Sequence, residues 1–329
     1  MPDESGDGRR RLVVLLALAS NVGVGALKLA AGLISGSSAL LSEAAHSAGD
    51  STTELFLLVA QRRSQRPADR THPFGYGKER YFWSLMAAMT IFVSGALFSI
   101  YLGVRTVAGP RESAPHLWVN YPVLAMAALF EGTSLAVAVR EVRSHARRHR
   151  KTFRDYLSDP DDTTVNSVTL EDSAALLGLA IAAAGVGLRQ ATGERMWDGI
   201  ASLLIGALLL VVAFLLARTC QSLLIGKQAD ENVLRQAEAL LEREDEIVDV
   251  VDMLSMLTGT GRVLLCVRAD FVDSLSAGDL ESACVRVADT LRRRIPVLDE
   301  VFIQPASRKD PRVRERVRMR YGEPLAEEV

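Results

Sequence analysis

The chain has 329 residues, 49% of them hydrophobic but only 6% aromatic, with 24% charged and a mean hydropathy of +0.15. Formal net charge is −2, so the bulk balance gives no reason to expect a nucleic-acid partner. Three cysteines (Cys220, Cys266, Cys284) without C-x-x-C spacing argue against a disulfide scaffold and against a thiolate zinc site.

The apolar residues are unevenly spread. Tyr81–Val104 has no charged side chain, and at about 1.5 Å per residue it is long enough to cross the roughly 30 Å hydrocarbon core of a bilayer. Six such segments are expected: Leu12–Ile34, Ser38–Ala60, Tyr81–Val104, Leu117–Val139, Val165–Leu188 and Gly199–Ala217. Arg9–Arg11 followed by Leu12–Ala17 and Ala17-Leu18-Ala19 imitates a secretory leader. The apolar run continues to Ile34, however, longer than a leader needs, so a membrane helix is expected.

The connections alternate in charge. Arg9–Arg11 precede the first segment. Arg62, Arg63, Arg66, Arg70, Lys78 and Arg80 fill the second connection, and Arg143, Arg147, Arg148, Arg150, Lys151 and Arg154 the fourth. The other links carry few or no Lys and Arg: none in Ser35–Ser37, then Arg105 with Arg111, then Arg189 with Arg195. Six helices with both termini in the cytoplasm meet the positive-inside rule, which accounts for Arg147–Arg154 without a nucleic-acid patch.

Past Cys220 the composition turns mixed and charged, and a boundary is expected near Gly226. Four regions follow: a cytoplasmic tail over 1–11, a six-helix membrane domain over 12–225, a cytoplasmic α/β domain over 226–305, and a charged, mobile tail over 306–329. Within the α/β domain, helical spacing marks Glu231–Glu244 and Ser276–Arg294. Strand-like runs mark Ile247–Leu257, Arg262–Phe271 and Val297–Ile303, the first two joined at the turn signal Thr258-Gly259-Thr260-Gly261. Helix, strand, strand, helix, strand is the order of a split βαβ, ferredoxin-like sandwich.

The second segment carries Glu43, His46, Asp50 and Glu54 where lipid-facing residues should be apolar. Ionisable groups at membrane depth cost several kcal/mol, and they mark function by default. His46 and Asp50 are four apart and share one helix face. They either grip a metal ion from one helix or form an interhelical polar clamp. Asp172 enters the Ala/Leu/Gly run of the fifth segment and supplies a second wall, with Ala174, Ala175 and Gly178 permitting close helix approach. Glu171 is set aside, about 100° around the helix from Asp172. Glu131 in the fourth segment reads as an interhelical contact or proton-path group.

On these residues the chain resembles the cation diffusion facilitator family of divalent-metal transporters, over nearly its whole length. The most specific marker is Pro67-Ala68-Asp69-Arg70-Thr71-His72-Pro73-Phe74-Gly75-Tyr76-Gly77-Lys78, similar to the family's Asp-x-x-His-x-Phe-Gly-x-Gly-Lys loop. Asn21, Lys28 and Trp197-Asp198 also fit. The resemblance implies a transport site in which His46 and Asp50 match the pair on the second helix and Asp172 the last member of the pair on the fifth. Val168 stands where that pair has His, leaving a four-coordinate zinc one ligand short. Leu170-Glu171-Asp172 looks like the branch that includes the vertebrate nine-type zinc transporter. In the loop, Asp69 and His72 match metal ligands of some members, with Tyr76 in place of a further His. No His lies beyond Gly226, so a His-based sensor is not expected in the C-terminal domain, and Asp270 and Asp273 read as strand-end solvent contacts. His145 and His149 read as a solvated basic face.

The resulting expectation is a homodimeric, proton-coupled exporter of a divalent cation, zinc foremost, in the plasma or inner membrane. It is not an enzyme, has no resident cofactor, and has metal ion, protons and lipid as partners. A transport-incompetent regulatory or heterodimer partner, or an exporter of manganese, iron or cobalt, is the alternative.

Overall fold

The computed structural model describes residues 4–109, 116–148 and 163–321. His149, the run 149–154, residues 322–329 and the side chains of His145 and Val168 lie outside the described residues.

All six expected segments are helical. They are α1 (Glu4–Ser35), α2 (Ser38–Ser64), α3 (Glu79–Thr90) continuing into α4 (Phe98–Ala108), α5 (Asn120–Arg148), α6 (Thr163–Thr192) and α7 (Met196–Ile225). Among the described residues, five helices are long and apolar enough to cross a membrane: Leu18–Ser35, Glu79–Ala108, Leu117–Ser144, Thr169–Thr192 and Met196–Ile225. α2 falls outside that set because Glu43, His46, Asp50 and Glu54 break its apolar run. A π-helical stretch, Ile91–Leu97, joins α3 to α4. Ser94 and Thr90 side chains there bond back to carbonyls four residues earlier, a habit that bends helices.

The chain divides into two compact units. One holds the helices up to Arg63 and from Glu79 to Gln221. Its apolar centre is Leu40, Ile91, Ala127, Leu179, Ile205 and Leu209, contributed by several helices. Asp198 at the start of α7 is wholly buried and ties the α1–α2 turn down. It accepts from Ser37 Oγ at 2.6 Å and Ser38 N at 2.6 Å, and Arg189 lies 3.4 Å away. Arg189, read in the sequence as an external loop charge, is therefore a buried partner.

The second unit takes Ser64–Lys78 together with the chain from Ser222 onward. It contains α8 (Glu231–Leu241), β1 (Ile247–Gly259), β2 (Arg262–Phe271), α9 (Ala277–Arg294), β3 (Leu298–Pro305) and α10 (Pro311–Tyr321). β2 is central, antiparallel to β1 and parallel to β3. Along β2, Val263, Leu265, Val267, Ala269 and Phe271 are buried in strict alternation, the period-two pattern of a strand with one face on the core. Leu234, Ala237 and Leu241 of α8 and Ala283, Val287 and Leu291 of α9 are buried, as is Val317 of α10. Asp230 and Ser276 cap the two helices through their side chains, and Arg292–Arg294 sit at the negative end of the α9 dipole.

Two expectations need correction. The tail beyond Pro305 is not wholly mobile: α10 forms, started by Asp310 accepting from Arg312 N, with Pro311 as its first residue. Arg320 of α10 reaches the buried Asp252 of β1 at 3.2 Å. The basic 64–78 loop, counted in the sequence with the membrane domain, belongs to the second unit. Gly77 lies against Thr258 and Gly259 of the β1 end so closely that any Cβ there would overlap the Thr258 carbonyl. Glycine is required by that approach.

Candidate functional site

The polar face of α2 meets α1 and α6 and shares a cavity with α5. Spacing of three or four residues puts Glu43, His46, Ser47, Asp50 and Glu54 on neighbouring parts of one helical face. His46 is 2% exposed, and neither ring nitrogen has a hydrogen-bond partner among the described residues. Its Nδ1 lies 3.5 Å from Asp50 Oδ1, which is also buried and unpartnered. An orphaned buried polar group costs about 1–3 kcal/mol. A helix that keeps three such atoms together is arranged for something other than its own stability.

Asp50 and Asp172 both line a cavity of about 470 Å³, with Glu131 and Ser134 of α5 and Asn21 of α1. Ser134 Oγ donates to Asp172 Oδ2 at 2.7 Å and fixes that carboxylate on the wall. The structure thus brings two of the three expected transport ligands to one cavity. His46 does not line it. Among the described residues no group of three His, Cys, Asp or Glu is gathered as a metal shell would be.

The cavity is also lined by residues not counted among the expected transport ligands. Glu54 lines it and accepts from Asn21 Nδ2, while its other oxygen is unpartnered. Glu171 lines it beside Asp172, because a wall of this breadth takes in a wide arc of α6. Lys28 of α1 is fully buried and donates to Glu131, Ser47 and Glu43. Glu131 thus contacts α1 through Lys28, in keeping with one of the two readings its isolation in the sequence left open. Glu43 Oε1 rests against Gly178 of α6, where a Cβ would collide with it.

In the loop, Asp69 and His72 are neighbours, with His72 Nδ1 3.7 Å from Asp69 Oδ1. The Asp69 carboxylate is already committed. Oδ1 accepts from Thr71 N at 2.8 Å and His72 N at 2.7 Å, and Oδ2 from the Tyr76 hydroxyl at 2.8 Å. The Tyr76 hydroxyl above all, with the backbone donors behind it, holds the Asp69 carboxyl below its ordinary range.

The cation efflux transmembrane domain model matches residues 14–225, most of the chain. The chain belongs to the cation diffusion facilitator family. It is 33% identical over 259 residues to the human proton-coupled zinc antiporter SLC30A9, mitochondrial, covering 79% of this chain and 45% of that protein. It is 34% identical over 269 residues to metal tolerance protein C4 of Arabidopsis thaliana, covering 82% of this chain and 58% of that protein. The manganese efflux system protein MneP of Bacillus subtilis is 24% identical over 300 residues, 89% of this chain and 94% of its own. The chain spans about half the length of the first two relatives. Members of the facilitator family are transporters rather than enzymes. A multi-pass helical membrane protein with a small C-terminal sheet domain agrees with that membership.

Proposed function

We propose that this protein exports a divalent cation, zinc foremost, in exchange for protons, through His46 and Asp50 of α2 and Asp172 of α6. The observation that carries the reading is the buried His46, its ring nitrogens and Asp50 Oδ1 without hydrogen-bond partners among the described residues, beside a cavity that Asp50 shares with Asp172. One imidazole and two carboxylates suit zinc, cobalt, iron or manganese better than magnesium or calcium, which prefer shells built of oxygen alone. The printed names of two relatives, a zinc antiporter and a manganese efflux protein, lie within that range.

Proton exchange follows from the ligand chemistry. The imidazole must be neutral to bind metal, so protons and cargo compete for His46. His46 stands 3.5 Å behind Asp50, and Asp50 and Asp172 line the cavity, so in this reading rocking of the helices around that site gives alternating access. In this reading α2 is the sixth span. Both termini are cytoplasmic by loop charge, the membrane is the plasma or inner membrane, and the ferredoxin-like second unit joins two copies. The Asp69–His72 loop holds itself together rather than a metal ion.

The test is uptake by proteoliposomes across a panel of zinc, manganese, cobalt and ferrous iron with an imposed pH gradient. Zinc uptake should accelerate when the lumen is acidic and should carry protons out. A folded protein that moves none of these ions under any gradient would leave the alternative, a transport-incompetent partner, whose motive is Val168 in place of His.

A further inference from the structure

Lys28 is a full positive charge on α1 with no exposed side-chain surface. An ammonium has three N–H donors. Here they go to Glu131 Oε1 at 2.8 Å, Ser47 Oγ at 2.9 Å and Glu43 Oε2 at 3.2 Å, so none is left over. Two carboxylates share this one cation, and their surroundings differ. Glu43 is wholly buried against Gly178 and does not line the cavity. Glu131 is 15% exposed and lines the same cavity as Asp50 and Asp172. It is the carboxylate that faces both the tethered ammonium and the space a cargo ion would enter. Two turns earlier on α1, Asn21 ties Glu54 of the same wall with a neutral donor.

Building on the transport site proposed above, we propose that Lys28 is a tethered cation that keeps Glu131 out of the cargo ion's coordination shell and so sets which divalent ion the site prefers. With Glu131 withheld, the ion meets one imidazole and two aspartates, a set suited to zinc. Releasing Glu131 adds an oxygen and a negative charge, which favours a harder ion such as manganese relative to zinc. Lys28 acts through Glu131 and touches no cargo, so it is a positioning residue.

Removing Lys28 alone leaves two buried carboxylates without a counter-charge, which threatens folding. Two double variants lessen this, leaving one bare carboxylate rather than two: Lys28→Met/Glu43→Gln and Lys28→Met/Glu131→Gln. They differ only in which carboxylate remains. Competitive zinc and manganese binding to the purified full chain in detergent, read by calorimetry, is compared with competitive flux in proteoliposomes. Lys28→Met/Glu43→Gln should raise the manganese-to-zinc ratio about tenfold, whereas Lys28→Met/Glu131→Gln should stay within about twofold of wild type. Equal ratios in the two variants would overturn the proposal. Failure of Lys28→Met/Glu43→Gln to assemble, although its remaining Glu131 reaches the cavity, would also overturn it, making Lys28 a structural clamp. If the wild type itself binds neither metal, the transport-site reading fails instead.

Discussion

A histidine buried with both ring nitrogens unpartnered is a stability cost the fold would shed if nothing used the group. His46→Ala, Asp50→Asn and Asp172→Asn should therefore each abolish flux, while melting temperature stays within a few degrees of wild type or rises. Flux at limiting metal beside thermal unfolding of the same preparation checks this. Any variant that keeps wild-type flux removes its residue from the site. His46 and Asp50 were legible because four residues make one helical turn, and Asp172 because an acid in an Ala/Leu/Gly run stands out. Glu54 was within reach of the same rule, four residues after Asp50. Glu171 was missed because helix angle alone says nothing of how wide a cavity wall is. The Lys28–Glu43–Glu131 cluster joins three helices, and no spacing within a sequence reports which helices touch.

At the level of elements, one carboxylate ties together the Asp69–Tyr76 turn of the loop between α2 and α3. Asp69 sits below its ordinary range because the Tyr76 hydroxyl, then the His72 and Thr71 backbone donors, favour its charged form. A depressed carboxyl stabilises the folded loop above its unfolded value of about 3.9, and that contribution is lost as pH falls through the lower folded value. The loop should stay ordered at pH 5 and open only in stronger acid. Tyr76→Phe should move the Asp69 titration up toward the ordinary value, read from its side-chain carboxyl carbon by NMR. An unmoved titration would assign the effect to the backbone donors alone. The tail helix α10 offers a second test. Asp252 is 1% exposed and pairs with Arg268 at 2.7 Å and Arg320 at 3.2 Å. Breaking a buried pair costs about 3–5 kcal/mol, and Arg320 is 43% exposed, so Asp252→Ala should cost nearer 2 kcal/mol. Faster hydrogen exchange confined to α10 and β1 would show it. In the sequence α10 was hidden by its charge: 11 residues rich in Arg read as a solvated tail, and the Asp310-Pro311 start signal went unused.

At the scale of the whole chain, the division into units changes what a truncation does. Strand and helix order in the second unit was legible from period-two and 3.6 patterns, with β2 matching its expected bounds, Arg262–Phe271. The capture of residues 64–78 by that unit was not legible, because Gly77 meets Thr258 across some 180 residues of chain. Removing everything after Gly226 should separate the proposed dimer and also strip the loop of its packing partner. Trypsin should then cut at Arg66 or Arg70 at least about tenfold faster than in the full chain, as local opening becomes cheap. Gly77→Ala in the full chain isolates the second effect, since its Cβ would overlap the Thr258 carbonyl while leaving the rest of the unit intact. That variant should show fast loop cleavage with the mass of the wild-type particle by light scattering, whereas the truncated chain should show fast cleavage with a lower mass. The metal dependence of flux should not gain or lose a regulatory phase in either. No histidine lies beyond Gly226, and burial raises the Cys266 and Cys284 thiols, which keeps them protonated and poor zinc ligands near neutral pH. A loop that resists trypsin equally in all three proteins would mean that the Gly77 approach carries no stability, and that residues 64–78 are ordered by Asp69 and Tyr76 alone.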